Sequence, residues 1–137
     1  MKAGHWLVKS EPSTYSWDDL VRDGQTAWEG VANAAALIHL RAMKTGDEAL
    51  IYHSGSGKAI VGIACIIRGA YPDPKLKDPR RVVIDVQAHH PLKRPVTLSS
   101  IKAEPSLAAL ALVRISRLSC MPVSAEHRAI LRKLGVR

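Results

Sequence analysis

The chain has 137 residues and a formal net charge of +8, with three Trp, three Tyr and no Phe. At this length a single domain spanning residues 1–137 is expected, and 47% apolar against 23% charged residues excludes a disordered chain. The longest apolar run, residues 59–67, is far shorter than the roughly 20 residues of a membrane-spanning helix.

His5 to Lys9 predicts a short strand, broken at Ser10-Glu11-Pro12-Ser13. Ser16 with Asp19 three residues on predicts a capped helix that stops at Gly24. Acidic Glu11, Asp18, Asp19 and Asp23 argue against a secretory leader in this stretch. Asn33 predicts the cap of a second helix, Ala34 to Lys44, with Ala36, Leu37, Leu40 and Met43 as its apolar stripe and Gly46 as its end. The period then changes to that of strands. Glu48 to His53 predicts one strand, Gly55-Ser56-Gly57 a turn, and Lys58 to Arg68 a central strand buried on both faces. Prolines 72, 74 and 79 predict a loop, and Arg81 to His89 a further strand that Pro91 and Pro95 interrupt. Thr97 or Ser99 opens a short helix to Glu104, and Pro105-Ser106 begins another through Leu110. Arg114 to Met121 predicts a last strand, and Ser124 caps a final helix from Ala125 that Gly135 closes. Strands mixed with short helices fit an α+β fold with a mainly β core, a small and partly open barrel rather than a doubly wound sheet.

Charge is uneven along the chain. Residues 1–50 carry 5 basic and 7 acidic side chains, and residues 51–137 carry 15 and 5. A surplus on one part of a protein is a footprint for a polyanion, or a solvated surface. Cys65 and Cys120 lie in apolar runs without neighbouring ligands, which predicts two buried thiols in a reducing, cytoplasmic setting rather than a disulfide or a metal site. His89-His90 lacks a third ligand at metal spacing, so no metal or other cofactor is expected. Gly55-Ser56-Gly57-Lys58 lacks the spacing of a Walker loop; it predicts a hairpin turn, with Lys58 available to a phosphate as a simple cation. His53-Ser54 is no catalytic pair on one strand, because neighbours face opposite ways. Trp28, just before Gly30 and a helix cap, predicts a loop tryptophan that either packs or stacks on a planar ligand. Lys75, Lys77, Arg80 and Arg81 form a basic loop cluster, either solvated or a phosphate clamp.

Taken in order, His5-Trp6-Leu7-Val8-Lys9-Ser10-Glu11-Pro12, Trp28-Glu29-Gly30-Val31, Leu40-Arg41-Ala42-Met43-Lys44-Thr45-Gly46-Asp47 and Tyr52-His53-Ser54 resemble the EVE domain family. So do Ile60-Val61-Gly62-Ile63-Ala64, Ala70-Tyr71-Pro72-Asp73, Val83-Ile84-Asp85-Val86 and Arg117-Leu118-Ser119-Cys120-Met121-Pro122-Val123. The resemblance is collinear over about residues 5–134. It implies a PUA-like pseudobarrel with peripheral helices, a pocket for a modified base in DNA or RNA, and a binding module without catalysis. By position the pocket would comprise Lys9, Ser10, Glu11, Trp28, Gly30, Val31, Asn33, Tyr52, His53 and Ser54, with Arg117, Leu118, Ser119 and Met121 closing or supporting it. The chain departs from the family pattern at Glu29 (usually Asp), Ala32 (usually Arg), Ala34-Ala35 (usually Tyr-Gln) and Val82 (usually Trp).

These features predict a non-enzymatic, monomeric nucleic-acid-binding module without membrane association. Trp28 stacks on a modified or flipped base, Ser10, Asn33, Tyr52 and Ser54 bond its edge, and Lys58, Lys75, Lys77, Arg80, Arg81 and Arg117 contact phosphates. On this reading Trp28→Ala weakens binding without unfolding the chain. Two rivals remain at this point. One is a small hydrolase of modified nucleosides using Lys9 and Glu11, which share a face if the first strand continues through Glu11. The other is a binder of a free small metabolite.

Overall fold

The structure, a computed structural model, describes residues 4–29, 31–115 and 118–136. Six strands form one mixed sheet: β1 (His5–Ser10), β2 (Gln25–Trp28), β3 (Glu48–His53), β4 (Ala59–Pro72), β5 (Val82–Thr97) and β6 (Cys120–Pro122). Their order across the sheet is β2-β5-β4-β3-β1-β6, so β2 and β6 are its two edges and the sheet is not closed. β1 runs parallel to β3, and the other pairs are antiparallel. Among the described residues five α-helices accompany it: α1 (Trp17–Asp23), α2 (Ala34–Ala42), α3 (Leu98–Ala103), α4 (Ala111–Arg114) and α5 (Ala125–Val136).

The helix starts follow the local chemistry. Ser16 and Asp19 exchange side-chain-to-backbone hydrogen bonds at the head of α1, and Gly24 ends it at φ +80°, a conformation that favours glycine. Asn33 Oδ1 accepts from Ala36 N at the head of α2, and Thr97 Oγ1 accepts from Ser100 N at the head of α3. A helix-period stripe then buries Ala36, Leu37 and Leu40 of α2. Trp17, the first residue of α1, sits directly on β4. A Cβ at Gly62 would lie 2.6 Å from the Trp17 ring, so glycine there lets the indole rest on the strand backbone.

Several elements differ from the sequence expectation. β2 is absent from it, although Gln25–Trp28 forms a full antiparallel ladder with β5. Four residues between a helix stop and a glycine are too few for a periodic signal; pairing with β5 makes the strand. β5 continues through both prolines to Thr97. Pro91 lies opposite Gly62, and the next ladder pair is Ile60 with Val96, so the excess residues 92–95 bulge out of register. A bulge tolerates a residue with no N–H to donate. The expected strand from Arg114 shrinks to β6, because Ala111–Arg114 turns helically, and α5 runs on through Gly135. α2 stops at Ala42 rather than Lys44, and β4 extends to Pro72. The core is mostly aliphatic, yet Trp17, Trp28 and Tyr52 are buried within it.

Candidate functional site

The site forms where β1, β2 and β3 end together. After β1 the chain turns: Thr14 and Tyr15 N–H groups both donate to the Glu11 carbonyl, and Ser10 Oγ donates to the Tyr15 carbonyl. This turn is pinned to the end of β3. Ser54 N–H donates to the Ser10 carbonyl at 2.9 Å, Ser54 Oγ reaches the same oxygen at 3.3 Å, and Trp17 N–H donates to His53 Nε2 at 2.9 Å.

Beside the turn is a hollow of about 270 Å³, walled by Trp28 and Tyr15, with Lys9, Ser10, Thr14, Thr26, Ala27 and Glu29 around it. The two rings meet edge to face, their centroids 6.4 Å apart. Tyr15 donates its hydroxyl to Asp23 at 2.9 Å. Burial and that carboxylate together raise the Tyr15 pKa. A smaller hollow of about 150 Å³ also includes Lys9, with Tyr52, Ser54, Gly55, Lys58, Leu98 and Leu112. Lys9 therefore belongs to both. Its ammonium lies 5.7 Å from the centroid of the Tyr52 ring, and burial pushes its pKa below the usual lysine value.

The structure sorts the expected pocket residues. Lys9, Ser10 and Trp28 meet at the larger hollow, and Lys9, Tyr52 and Ser54 at the smaller one. Trp28 is not a loop residue. It ends β2 opposite Ile84 and is only 7% exposed, with one part of its ring left to the hollow. Glu11 is exposed and turned aside: its carboxylate accepts from Ser13 and crowds the space beside Gly55. Val31 and Asn33 line neither hollow; the Val31 carbonyl holds Arg81, and Asn33 caps α2. The Ser119 carbonyl accepts from Lys9 N–H and Met121 lies opposite Leu7, so these two support β1 from its β6 side, while Leu118 is buried in the core. Gly30 and Arg117 lie outside the described residues. Sequence reasoning missed Tyr15, Thr14 and Thr26. The alternation of Thr26 with Trp28 was the available signal, and it is short.

The expected phosphate contacts divide as well. Lys58 is exposed at the smaller hollow. Lys75 pairs with Glu29 at 3.1 Å, and Arg80 pairs with Asp78 at 3.1 Å. Arg81 Nε donates to the Val31 carbonyl at 3.0 Å, and Lys77 is exposed. The basic loop is thus clamped on the segment that follows β2.

His53 makes the site sensitive to acid. Burial lowers its pKa from the ordinary 6.5, opposed in part by Asp18 and Glu11, and its Nε2 must be unprotonated to accept from Trp17. Its contribution to stability is complete above the unfolded value of 6.5 and is lost as pH falls through the lower folded value. Chemical denaturation at about pH 7.5 and about pH 5.5 is expected to show a drop that His53→Gln reduces. An identical drop in both proteins would exclude His53 as its source.

Comparison with known proteins places this geometry in a family. The EVE domain model matches residues 4–134. The chain belongs to the EVE domain family. It is 35% identical to chicken thymocyte nuclear protein 1, covering 90% of this chain and 65% of that protein, so it spans slightly less than two thirds of the relative's length. The structure is similar to a protein of Rhodopseudomonas palustris solved by NMR, at 52% identity and a TM-score of 0.92, over 97% of this chain and 93% of that one. It is also similar to the human THYN1 protein crystallised with DNA containing 5-methylcytosine, at 31% identity and a TM-score of 0.91, over 98% and 99% of the two chains. A more distant likeness, to an ASCH protein of Zymomonas mobilis at 12% identity and a TM-score of 0.59, over 99% of each chain, shows the fold alone.

Proposed function

We propose that the EVE domain described here is a non-catalytic DNA-binding module that receives a modified base in the hollow beside Lys9. The observation that carries this reading is the aromatic-walled hollow of about 270 Å³ at the joined ends of β1 and β2. Its volume is below the range of about 300–1,000 Å³ that suits drug-sized ligands, in keeping with a single heterocycle. The exposed part of Trp28 and the edge of Tyr15 offer apolar surface, and the hydroxyls of Thr14 and Thr26 and the Lys9 ammonium offer polar partners for a base edge. Human THYN1, crystallised with DNA containing 5-methylcytosine, supports DNA with a modified base as the class of ligand. An altered or unpaired base also costs less to extrude from a duplex.

The hydrolase reading draws on the lowered pKa of Lys9. Against it, β1 ends at Ser10, and the Glu11 carboxylate is engaged with Ser13 rather than continuing the strand face. A cytoplasmic location and a monomeric state belong to the same proposal. Cys65 and Cys120 are free thiols, and burial pushes the Cys120 thiol up to about 11, which makes it inert.

Fluorescence anisotropy with labelled duplexes, methylated and unmethylated at one cytosine, tests the proposal. The methylated duplex is expected to bind more tightly, and Lys9→Gln to weaken it about tenfold through loss of a charge-assisted contact. Equal affinity for both duplexes, or unchanged affinity in Lys9→Gln, would sink the pocket assignment. Release of a new product from modified nucleosides, seen by mass spectrometry, would support the hydrolase instead.

A further inference from the structure

A cleft larger than the hollow beside Lys9 lies elsewhere on the described residues. It measures about 470 Å³ and lies between α2 and the loop over residues 73–81. Leu37 and Ile38 of α2 provide an apolar side, and Ile38 is 63% exposed. Arg41, Arg80 and Arg81 provide the polar side, together with Asp78.

The three arginines are not equivalent. Arg80 is neutralised by a two-point contact with Asp78, at 3.1 and 3.2 Å. Arg41 donates from Nη2 to the Arg80 carbonyl at 2.7 Å, and Arg81 donates from Nε to the Val31 carbonyl at 3.0 Å. Among the described residues neither forms an ion pair with a carboxylate. A carbonyl anchors a guanidinium without cancelling its charge, and leaves further N–H groups for an oxyanion. The cleft thus holds two oriented cations, Arg41 and Arg81, and the Arg80–Asp78 ion pair beside an apolar wall.

Its position gives these cations a partner. Glu29 lines the hollow beside Lys9, and Ala32 lines the cleft. Three residues of chain span at most about 11 Å, so both cavities lie within reach of neighbouring nucleotides on one strand. We infer that the cleft between α2 and the 73–81 loop is a second subsite, in which Arg41 and Arg81 hold the backbone phosphate of a nucleotide adjacent to the one bound beside Lys9. The exposed Ile38 side covers its sugar. This inference rests on the proposed function and adds to it a contact that is independent of the modified base.

The test uses the full chain with methylated and unmethylated duplexes of one sequence, titrated by anisotropy across a range of salt. Arg41→Gln removes one cation at an exposed position, and Ile38→Asp places a negative charge in the cleft without removing core. Each is expected to weaken both duplexes alike, about tenfold, and to keep the preference for the methylated one. Arg41→Gln also lowers the salt slope by about 0.9 for one lost phosphate contact. Wild-type affinity and slope in both variants would overturn the subsite, as would loss of the methyl preference, which would place the base itself in the cleft. The reading of the Lys9 hollow fails separately, if the wild type shows no methyl preference while Arg41→Gln still weakens binding. That result would leave the cleft as a strand site without a base pocket.

Discussion

Replacing Trp28 with alanine is expected to cost about 3–5 kcal/mol of stability and to lower the melting temperature by roughly 10–20 °C. Trp28 is 7% exposed, packs in the main core and ends β2 at the edge of the sheet. Its ring also walls the larger hollow and meets Tyr15 edge to face. Truncation therefore opens a cavity in the core and removes a base-stacking surface at once. This corrects the expectation drawn from the sequence, in which the same substitution weakened binding while leaving the fold alone. Trp28→Phe separates the two roles, because it keeps an aromatic ring and most of the volume. Thermal unfolding followed by circular dichroism gives the stability change, and anisotropy at a temperature where the variants are folded gives binding. A Trp28→Ala protein that melts like wild type would contradict the burial described here.

The second large effect is expected at Asp47, far from the hollows. Its side chain is 7% exposed and accepts from Gly4 N–H at 2.8 Å, Trp6 Nε1 at 2.9 Å and Lys44 N–H at 2.9 Å. It ties the start of β1 to the turn before β3, where Gly46 adopts φ +96°. Burial alone raises the pKa of this carboxyl, but the three hydrogen bonds and nearby Lys44 outweigh it, and the net shift is downward from 3.8. Asp47→Ala leaves three donors without their acceptor, at an expected cost of about 3–5 kcal/mol in total. The sign of the pH dependence follows from the lowered pKa. The Asp47 contribution is complete above 3.8 and disappears as pH falls through the folded value, so wild type and variant should converge in acid. Urea denaturation at neutral and acidic pH measures both. A loss below about 1 kcal/mol at neutral pH would show that water replaces the carboxylate.

Part of the lining of the candidate site was legible from residue types in order. Lys9-Ser10, Trp28, Tyr52 and Ser54 are separated by long stretches of sequence, yet they line two hollows that share Lys9. The convergence comes from β1 and β3 running in parallel, with Lys9 beside Tyr52 and Ser10 beside His53. The burial of Trp28 and Tyr52 was not legible, since a ring's exposure depends on what covers it. The basic loop was visible as a cluster, but not the separation of neutralised Arg80 from Arg81, because Arg81 is held by the carbonyl of Val31, fifty positions earlier. Arg41, proposed above as a phosphate contact, gave no such signal in the sequence, being an ordinary last-turn cation of α2.

The starts of α1, α2 and α3, the buried character of β4 and the uneven charge were determined by the sequence itself. Each depends on residues within a turn or two of chain, or on composition alone. The tertiary structure alone decided that Gln25–Trp28 is a strand, that β5 passes through Pro91 and Pro95, and that Trp17, Trp28 and Tyr52 are buried. It also decided which cations are paired with a carboxylate. Ladder partners, cover for a ring and counter-ions come from residues far apart in the chain, and they are fixed only when the sheet assembles.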